Sequence, residues 1–221
     1  MNISNDTLDI LKNFSEINNS ILINKGNELK TMSPLKNVLA KVTIPEAFPK
    51  QCGIYNLSEF IGVVTAMDSP KLDFNEVAVK LSSSKGTLKY FYSDPAAIVY
   101  PEKDIAMSDA DIEFEVSADD YANLMKMALT LNLSDIMVKG CSKSKKIYLC
   151  TLDRKNDTSN DFSVEVGDTE KDFNLYFKAE NFKMVKGDYK VQVTSKGIAH
   201  FTHESDKLEY WVALEPDSKY E

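Results

Sequence analysis

Cysteine is scarce in this chain: Cys52, Cys141 and Cys150 are the only three among 221 residues. Three scattered thiols cannot build a disulfide framework, so a reducing, intracellular setting is expected. Histidine is scarcer, with His200 and His203 the only two. They stand three apart in an expected strand, where side chains alternate between faces, so they should not share a metal. Gly86 and Gly187 are isolated, and no glycine-rich phosphate loop occurs anywhere. No apolar run approaches the ~20 residues of a membrane helix. The first residues show no basic-then-apolar signal peptide. Positive charge is outnumbered, 26 Lys and Arg against 34 Asp and Glu, for a net charge of -8. A conventional DNA-binding domain is usually basic, because phosphate neutralisation supplies much of its affinity. An acidic total still permits a basic inner surface beneath an acidic outer one.

Constellations that could carry chemistry are absent too. Asp153, Lys155 and Asp157 have part of the spacing of a calcium loop, but lysine holds the third position and Thr158 the sixth, where glycine is needed. Asp109, Asp111, Glu113 and Glu115 alternate with Ala110, Ile112 and Phe114, which describes a strand with an acidic solvent face. Cys141 and Cys150 flank an expected hairpin with no histidine at zinc spacing, so they read as small buried hydrophobes. No nucleophile stands beside a base. The expectation is no catalytic site, no metal and no cofactor.

What remains is a folded composition, 43% hydrophobic and 27% charged. Its length fits one large domain or two of about 110 residues. Residues 117–132 anchor the reading. Tyr121, Leu124, Met125, Ala128 and Leu131 recur at helical spacing, Ser117 suits an N-cap, and Asp119 and Asp120 suit the positive helix end. A strand–turn–strand pattern follows, at 135–140 and 145–151. The chain opens in the same way. Leu8, Leu11, Phe14 and Ile17 share a helical face after Ser4, and a hairpin is expected from strands 21–23 and 29–32, turning at 24–27. Ser4 and Ser117 lie 113 positions apart, so the pattern is a repeat of one domain.

The intervening segments support duplication. Strand 37–44 is expected to be interrupted by Pro45 and Pro49. Strand 52–55 leads to a helix at 57–67, with Asn56 and Glu59 as a capping box. Strands are expected at 71–74, 77–81 and 87–92. Residues 93–108 carry two prolines and no periodicity. Their apolar Ile98, Val99, Tyr100 and Ile105 imply a connector lying against a surface. The second half expects strands at 112–116, 162–166, 172–177, 188–194, 198–201 and 208–214, with a shorter helix at 179–185. Each half, 1–108 and 109–221, is then an α+β unit whose helices can cover one face of antiparallel sheets. Lys12 and Lys126 take matching positions on the repeated helices, and Lys178, Lys183 and Lys186 surround the expected last helix. A surface formed by these helices is locally positive.

Four stretches carry a resemblance: the opening TLDILKNFSEIN, the connector approach TLKYFYSDPAAIVYP, the segment FKAENFKMVKGDYKV and the ending YWVALEPDS. Together they resemble the DNA polymerase sliding clamps of T-even-like bacteriophages, and the likeness runs over nearly the whole chain. The resemblance implies duplicated clamp domains in a homotrimeric ring, with antiparallel sheets outside and helices lining a hole for duplex DNA. It implies head-to-tail contacts between edge strands. Here these are Thr87, Leu88, Tyr90 and Tyr92 of strand 86–92, against Phe162, Val164 and Val166 of strand 161–166. Lys12, Lys126, Lys178, Lys183 and Lys186 are then expected to face DNA, without reading bases. The resemblance places a C-terminal peptide of the DNA polymerase against Ile98, Val99, Tyr100, Leu214, Glu215 and Pro216. It also implies loading by a separate clamp-loader ATPase, viral late-transcription proteins as further partners, and the cytoplasm of an infected bacterium as the setting. Two other readings stand beside it: a two-domain scaffold that forms no ring, and an enzyme of unrecognised class.

Overall fold

A computed structural model of the chain describes residues 1–103, 105, 107, 109–156, 158–205 and 207–220. The fold divides into two compact units, Met1–Asp104 and Ile105–Glu221. Of the connector expected at 93–108, residues 104, 106 and 108 lie outside the described residues, as does Asp157 of the rejected calcium loop.

The first unit opens with α1 (Asn5–Ile17), which buries Thr7, Leu8, Leu11, Phe14 and Ile17 at helical spacing. Ser4 caps it, its hydroxyl accepting from the Thr7 N–H at 3.3 Å. Leu11 and Phe14 are fully buried. Truncating either to alanine costs about 2–5 kcal/mol. Helix α2 (Leu57–Ala66) buries Leu57, Phe60, Ile61 and Val64 behind the expected Asn56 cap, which accepts from the Glu59 N–H at 3.1 Å. A three-stranded antiparallel meander follows: β5 (Lys71–Phe74), β6 (Ala78–Ser83) and β7 (Gly86–Phe91).

Two strand expectations for this unit are corrected. Strand β1 (Ile21–Ile23) does not form a hairpin with β2 (Gly26–Met32). It pairs with β4 (Cys52–Ile54), while β2 pairs with β3 (Val38–Phe48). All three residues of β1 are buried, and so are all three of β4, whereas β2 has one exposed side. A strand covered on both faces belongs beside another of the same kind. Strand β3 also runs past Pro45 to Phe48. Its pairing jumps from Glu28–Thr43 to Gly26–Phe48, so residues 44–47 bulge from the ladder. Pro45 lacks a donor and lies where none is needed.

In the second unit the expected hairpin forms from β9 (Asp135–Cys141) and β10 (Lys146–Leu152). Strand β11 (Phe162–Asp168) flanks β10; β12 (Phe173–Lys178) flanks β9, followed by the short β16 (Lys219–Tyr220). A further antiparallel run orders β8 (Ile112–Val116), β13 (Tyr189–Thr194), β14 (Ile198–His203) and β15 (Leu208–Ala213) as neighbours. Helix α3 (Ala118–Thr130) packs on β10 and β11 through buried Tyr121, Leu124 and Ala128. Ser117 caps it by accepting from the Asp120 N–H at 3.1 Å.

The expected helix at 179–185 is corrected to one 3-10 turn, Ala179–Asn181. The backbone beyond it is claimed from outside. The Tyr121 hydroxyl donates to the Phe182 carbonyl at 2.8 Å and accepts from the Met184 N–H at 3.1 Å. The Tyr210 hydroxyl accepts from the Val185 N–H at 3.2 Å, and the Tyr189 hydroxyl donates to the Val185 carbonyl at 2.5 Å. Buried backbone groups need partners, and three phenols supply what a continued helix would have supplied itself.

Candidate nucleic-acid, subunit and partner surfaces

The helix faces left open by the cores carry more acidic than basic side chains, which corrects the expectation that a surface formed by these helices is locally positive. On α1 the exposed positions include Asp6, Asp9, Lys12 and Glu16, and the Lys12 ammonium already holds the Asp9 carboxylate at 2.7 Å. Helix α2 exposes Ser58, Glu59, Gly62, Thr65 and Ala66, with no basic residue in its length. On α3, Asp119, Asn123, Lys126, Leu129 and Thr130 are exposed. Lys183 and Lys186 are exposed on the segment held by the three tyrosines, and Lys186 approaches Asp119 at 3.6 Å.

Lys178 differs from the other four. It is half-buried at the end of β12, with its ammonium 2.7 Å from Asp135 Oδ1. Asp135 is only 1% exposed. Burial works to raise its carboxyl, but hydrogen bonds from Lys178, Ser134 and Arg154 outweigh burial and hold it below the usual carboxylate range. The charge of Lys178 therefore has a structural partner inside its own unit.

The two strands expected at subunit contacts are both edges within their units. Strand β7 pairs only with β6, and β11 only with β10, among the described residues. Thr87 is exposed, whereas Leu88, Tyr90 and Tyr92 are half-buried. The Tyr90 hydroxyl donates to the Asn56 carbonyl at 3.2 Å, and its ring meets Phe60 edge-on. Burial pushes the Tyr90 and Tyr92 phenols up to about 12. Phe91, which the sequence reading passed over, is 62% exposed on this edge, with Lys89 over its ring. On β11, Phe162, Val164 and Val166 are half-buried. Pairing with β10 skips from Gly167–Ile147 to Glu165–Tyr148, so Val166 is the extra residue of a bulge. Bulges of this kind are common on edges.

The partner-segment residues lie as follows. In the first unit Ile98 is buried against Gly53, where an added Cβ would come within 3.0 Å of Ile98 Cδ1. The Val99 carbonyl accepts from Asn18 Nδ2 at 3.3 Å, and the Tyr100 hydroxyl accepts from Asn24 Nδ2. This part of the connector therefore lies against its own unit, as its apolar residues suggest. In the second unit the Leu214 N–H donates to the Gly197 carbonyl at 2.9 Å and the Glu215 N–H to the Tyr176 carbonyl at 2.7 Å, while Pro216 is exposed. Glu215 also lies 3.6 Å from Arg154 and 4.0 Å from Lys178. Sequence reasoning missed Arg154, although a usable signal was present: it is the only arginine in the chain.

Side chains considered for chemistry have structural roles. His200 stacks on Trp211, with its Nε2 2.9 Å from Glu209, and His203 meets Tyr189 edge-on. Burial raises the Cys52 thiol to about 12 and the Cys150 thiol to about 11. Among the described residues, no three His, Cys, Asp or Glu side chains gather to hold a metal. Among the same residues, no helix is long and apolar enough to cross a membrane.

Known proteins match both units. Residues 4–100 match the family described as DNA polymerase processivity factor, and residues 113–216 match gp45 sliding clamp, C terminal. The sliding clamp of Vibrio phage KVP40 is 33% identical over 97% of this chain and 99% of its own length. That of Enterobacteria phage T4 is 29% identical with both chains fully covered. Among solved structures, the A. fulgidus PCNA bound to the C-terminal region of FEN-1 superposes with a TM-score of 0.69 at 12% identity, covering 96% of each chain. PCNA from Entamoeba histolytica gives 0.65 at 17% identity, covering 94% of each. At these identities the structural likeness speaks for the fold, two α+β domains of the clamp type. The matches to phage proteins speak for the lineage: this chain belongs to the sliding clamps, the DNA polymerase processivity factors of the gp45 type.

Proposed function

We propose that three copies of the chain close into a ring around duplex DNA and tether the replicative DNA polymerase during synthesis. The observation that carries this reading is the end-to-end match to phage sliding clamps in a chain whose β7 and β11 edges are both unpaired within their units. Each copy offers one edge of each kind, so head-to-tail pairing can repeat around a ring. Lys12, Lys126, Lys183 and Lys186 face the duplex and make sequence-independent phosphate contacts. Lys178 contributes from its ion pair with Asp135. A clamp is a non-catalytic scaffold, so a separate ATPase opens and loads the ring.

The polymerase engages through a C-terminal peptide, with residues 98–100 and 214–216 as the contacted segments. The A. fulgidus structure, which holds the C-terminal region of FEN-1, supports this mode of attachment. Viral late-transcription proteins are further partners in the cytoplasm of an infected bacterium. Two measurements test the reading. Sedimentation equilibrium should give about three times 24.9 kDa. Loaded clamps should stay on circular duplex and slide off once it is linearised. A monomer at every concentration, or equal retention on both DNAs, removes the ring.

A further inference from the structure

Of the chain's 26 basic residues, 25 are lysines, and the single guanidinium is Arg154. It follows β10 in the loop 153–156 and touches several elements of the second unit. Its Nε and Nη2 each lie 3.0 Å from Asp135 Oδ1 at the start of β9. Its Nη1 donates to Asp217, its plane lies over the Tyr176 ring of β12 at 4.5 Å, and Glu215 is 3.6 Å away. Only a planar fork meets two carboxylates and an aromatic face at once; an ammonium is a point charge.

Residues 214–220 form a strap that leaves β15 and returns along β12. Its ends are tied by backbone. Leu214 and Glu215 donate to Gly197 and Tyr176, and Lys219 and Tyr220 pair with Asn174 and Phe173. Between them the apex 216–218 has Pro216, which has no N–H to give, and Ser218, whose hydroxyl accepts from the Tyr176 N–H at 2.9 Å. Arg154 reaches this apex through Asp217. Folding of the unit does not depend on that arm. Asp135 keeps Lys178 and Ser134 as partners without it. The Asp217 side chain is 66% exposed, so its pair contributes little to stability. The Ser218 N–H also closes the apex turn onto the Glu215 carbonyl at 3.0 Å, and the arm is the one tie on the Asp217 side chain among the described residues.

We propose that Arg154 is a positioning residue, a clasp that holds residues 214–218 in the conformation a partner peptide meets. This inference rests on the proposed role of 214–216 as a partner segment. A strap fixed before binding does not have to be ordered at binding, and that saving appears as affinity.

The test uses the full chain with two substitutions. Asp217→Ala cuts the exposed arm alone, and Arg154→Lys keeps the charge but loses the fork. Amide hydrogen exchange is followed across 214–220 and across β9–β10. Calorimetry measures affinity for a synthetic peptide carrying the terminal residues of the polymerase encoded with this clamp. Strap exchange should rise about fivefold or more in both variants, with β9–β10 protection unchanged. Peptide affinity should fall about three- to tenfold, with no rescue by lysine. Parent-like strap exchange in both variants overturns the clasp. Faster strap exchange with parent-like peptide affinity overturns its role in partner binding. A parent that binds no peptide removes the reading on which the inference rests, and the exchange arm then still decides whether Arg154 holds the strap.

Discussion

Both units contain a thirteen-residue helix behind a serine cap, yet they complete the helical layer differently. The first unit uses α2, a continuous ten-residue helix with no basic side chain, whose first two N–H groups donate to Asn19. The second uses one 3-10 turn and a segment hung from the hydroxyls of Tyr121, Tyr189 and Tyr210, and this segment carries Lys183 and Lys186. One slot in a duplicated fold can thus be filled by a continuous helix that borrows partners only at its start, or by a chain that borrows them along its length. The borrowed version depends on single distant atoms, and it is also where positive charge is found. Variants in the two units should expose that asymmetry.

The largest effect should come from the open edges. The Tyr92 N–H donates to Val77, so by the two-residue period of a strand the N–H groups of Leu88 and Tyr90 face β6, and those of Lys89 and Phe91 face outward. Phe91→Pro should therefore weaken subunit association at least about tenfold while the unit stays folded. Tyr90→Pro should instead damage the β6–β7 ladder itself. Sedimentation and circular dichroism separate the two outcomes. Identical behaviour of the two variants would mean that β7 is not a contact edge.

The next effect compares hydrogen bonds inside the units. Tyr121→Phe leaves a buried carbonyl and a buried N–H without their hydroxyl and should cost about 1–3 kcal/mol. Asn56→Ala removes only a local cap from α2 and should cost about 1 kcal/mol. Denaturant unfolding of both variants checks the order. A larger loss for Asn56→Ala would contradict the idea that the second unit's segment depends on borrowed partners.

A smaller effect concerns DNA. Lys12 already holds Asp9, whereas Lys126 forms no ion pair among the described residues. Lys126→Glu should reduce retention on circular duplex more than Lys12→Glu, chiefly at low salt where screening is weakest. Every phosphate that a variant no longer neutralises should flatten the salt dependence by about 0.9 in slope. Equal retention for both variants and the parent would remove these helices from the DNA-facing surface.

The smallest effect is pH-dependent. Burial works to raise the Glu46 carboxyl, yet hydrogen bonds from Thr7 and Ser4 outweigh it and leave it below the usual value. A depressed carboxylate stabilises the fold above its unfolded pKa, near ~4.3, and that contribution is lost as pH falls through the folded value. Glu46→Gln should therefore cost roughly 1 kcal/mol near neutrality and almost nothing in strong acid. A pH-independent difference in unfolding midpoints would contradict this account.

The helices α1, α2 and α3 were legible because each combines a capping side chain with a 3.6-residue apolar period. Strands β8, β9 and β10 were legible from alternation and a local hairpin. The β1–β4 pair was not, because three buried residues at each end carry no period and their partnership is set by burial across about thirty intervening residues. The loss of the helix at 179–185 was hidden for a related reason. Phe182 and Met184 are both buried two positions apart, a strand-like spacing inside a helix-like run, and the tyrosines that decide the matter are distant in sequence. The edge strands were legible as short β-prone runs beside turns. Arg154 went unread because its meaning depends on Asp135, Tyr176 and Asp217, which no local pattern joins.

The pairing of Lys12 with Asp9 bears on friction. An ammonium that already holds a carboxylate at 2.7 Å exchanges one anion for another when a phosphate passes. The net gain per exchange is a fraction of an exposed ion pair, itself only about 0–1 kcal/mol. With Lys12 facing the duplex as proposed, energy wells along it would be correspondingly shallow, with depths near thermal energy. Around a closed ring such wells would not rise and fall together, so the path along the DNA becomes smoother than any single lysine would make it. The acid beside the lysine then acts as a lubricant, and removing Asp9 should slow diffusion along DNA even as it tightens binding.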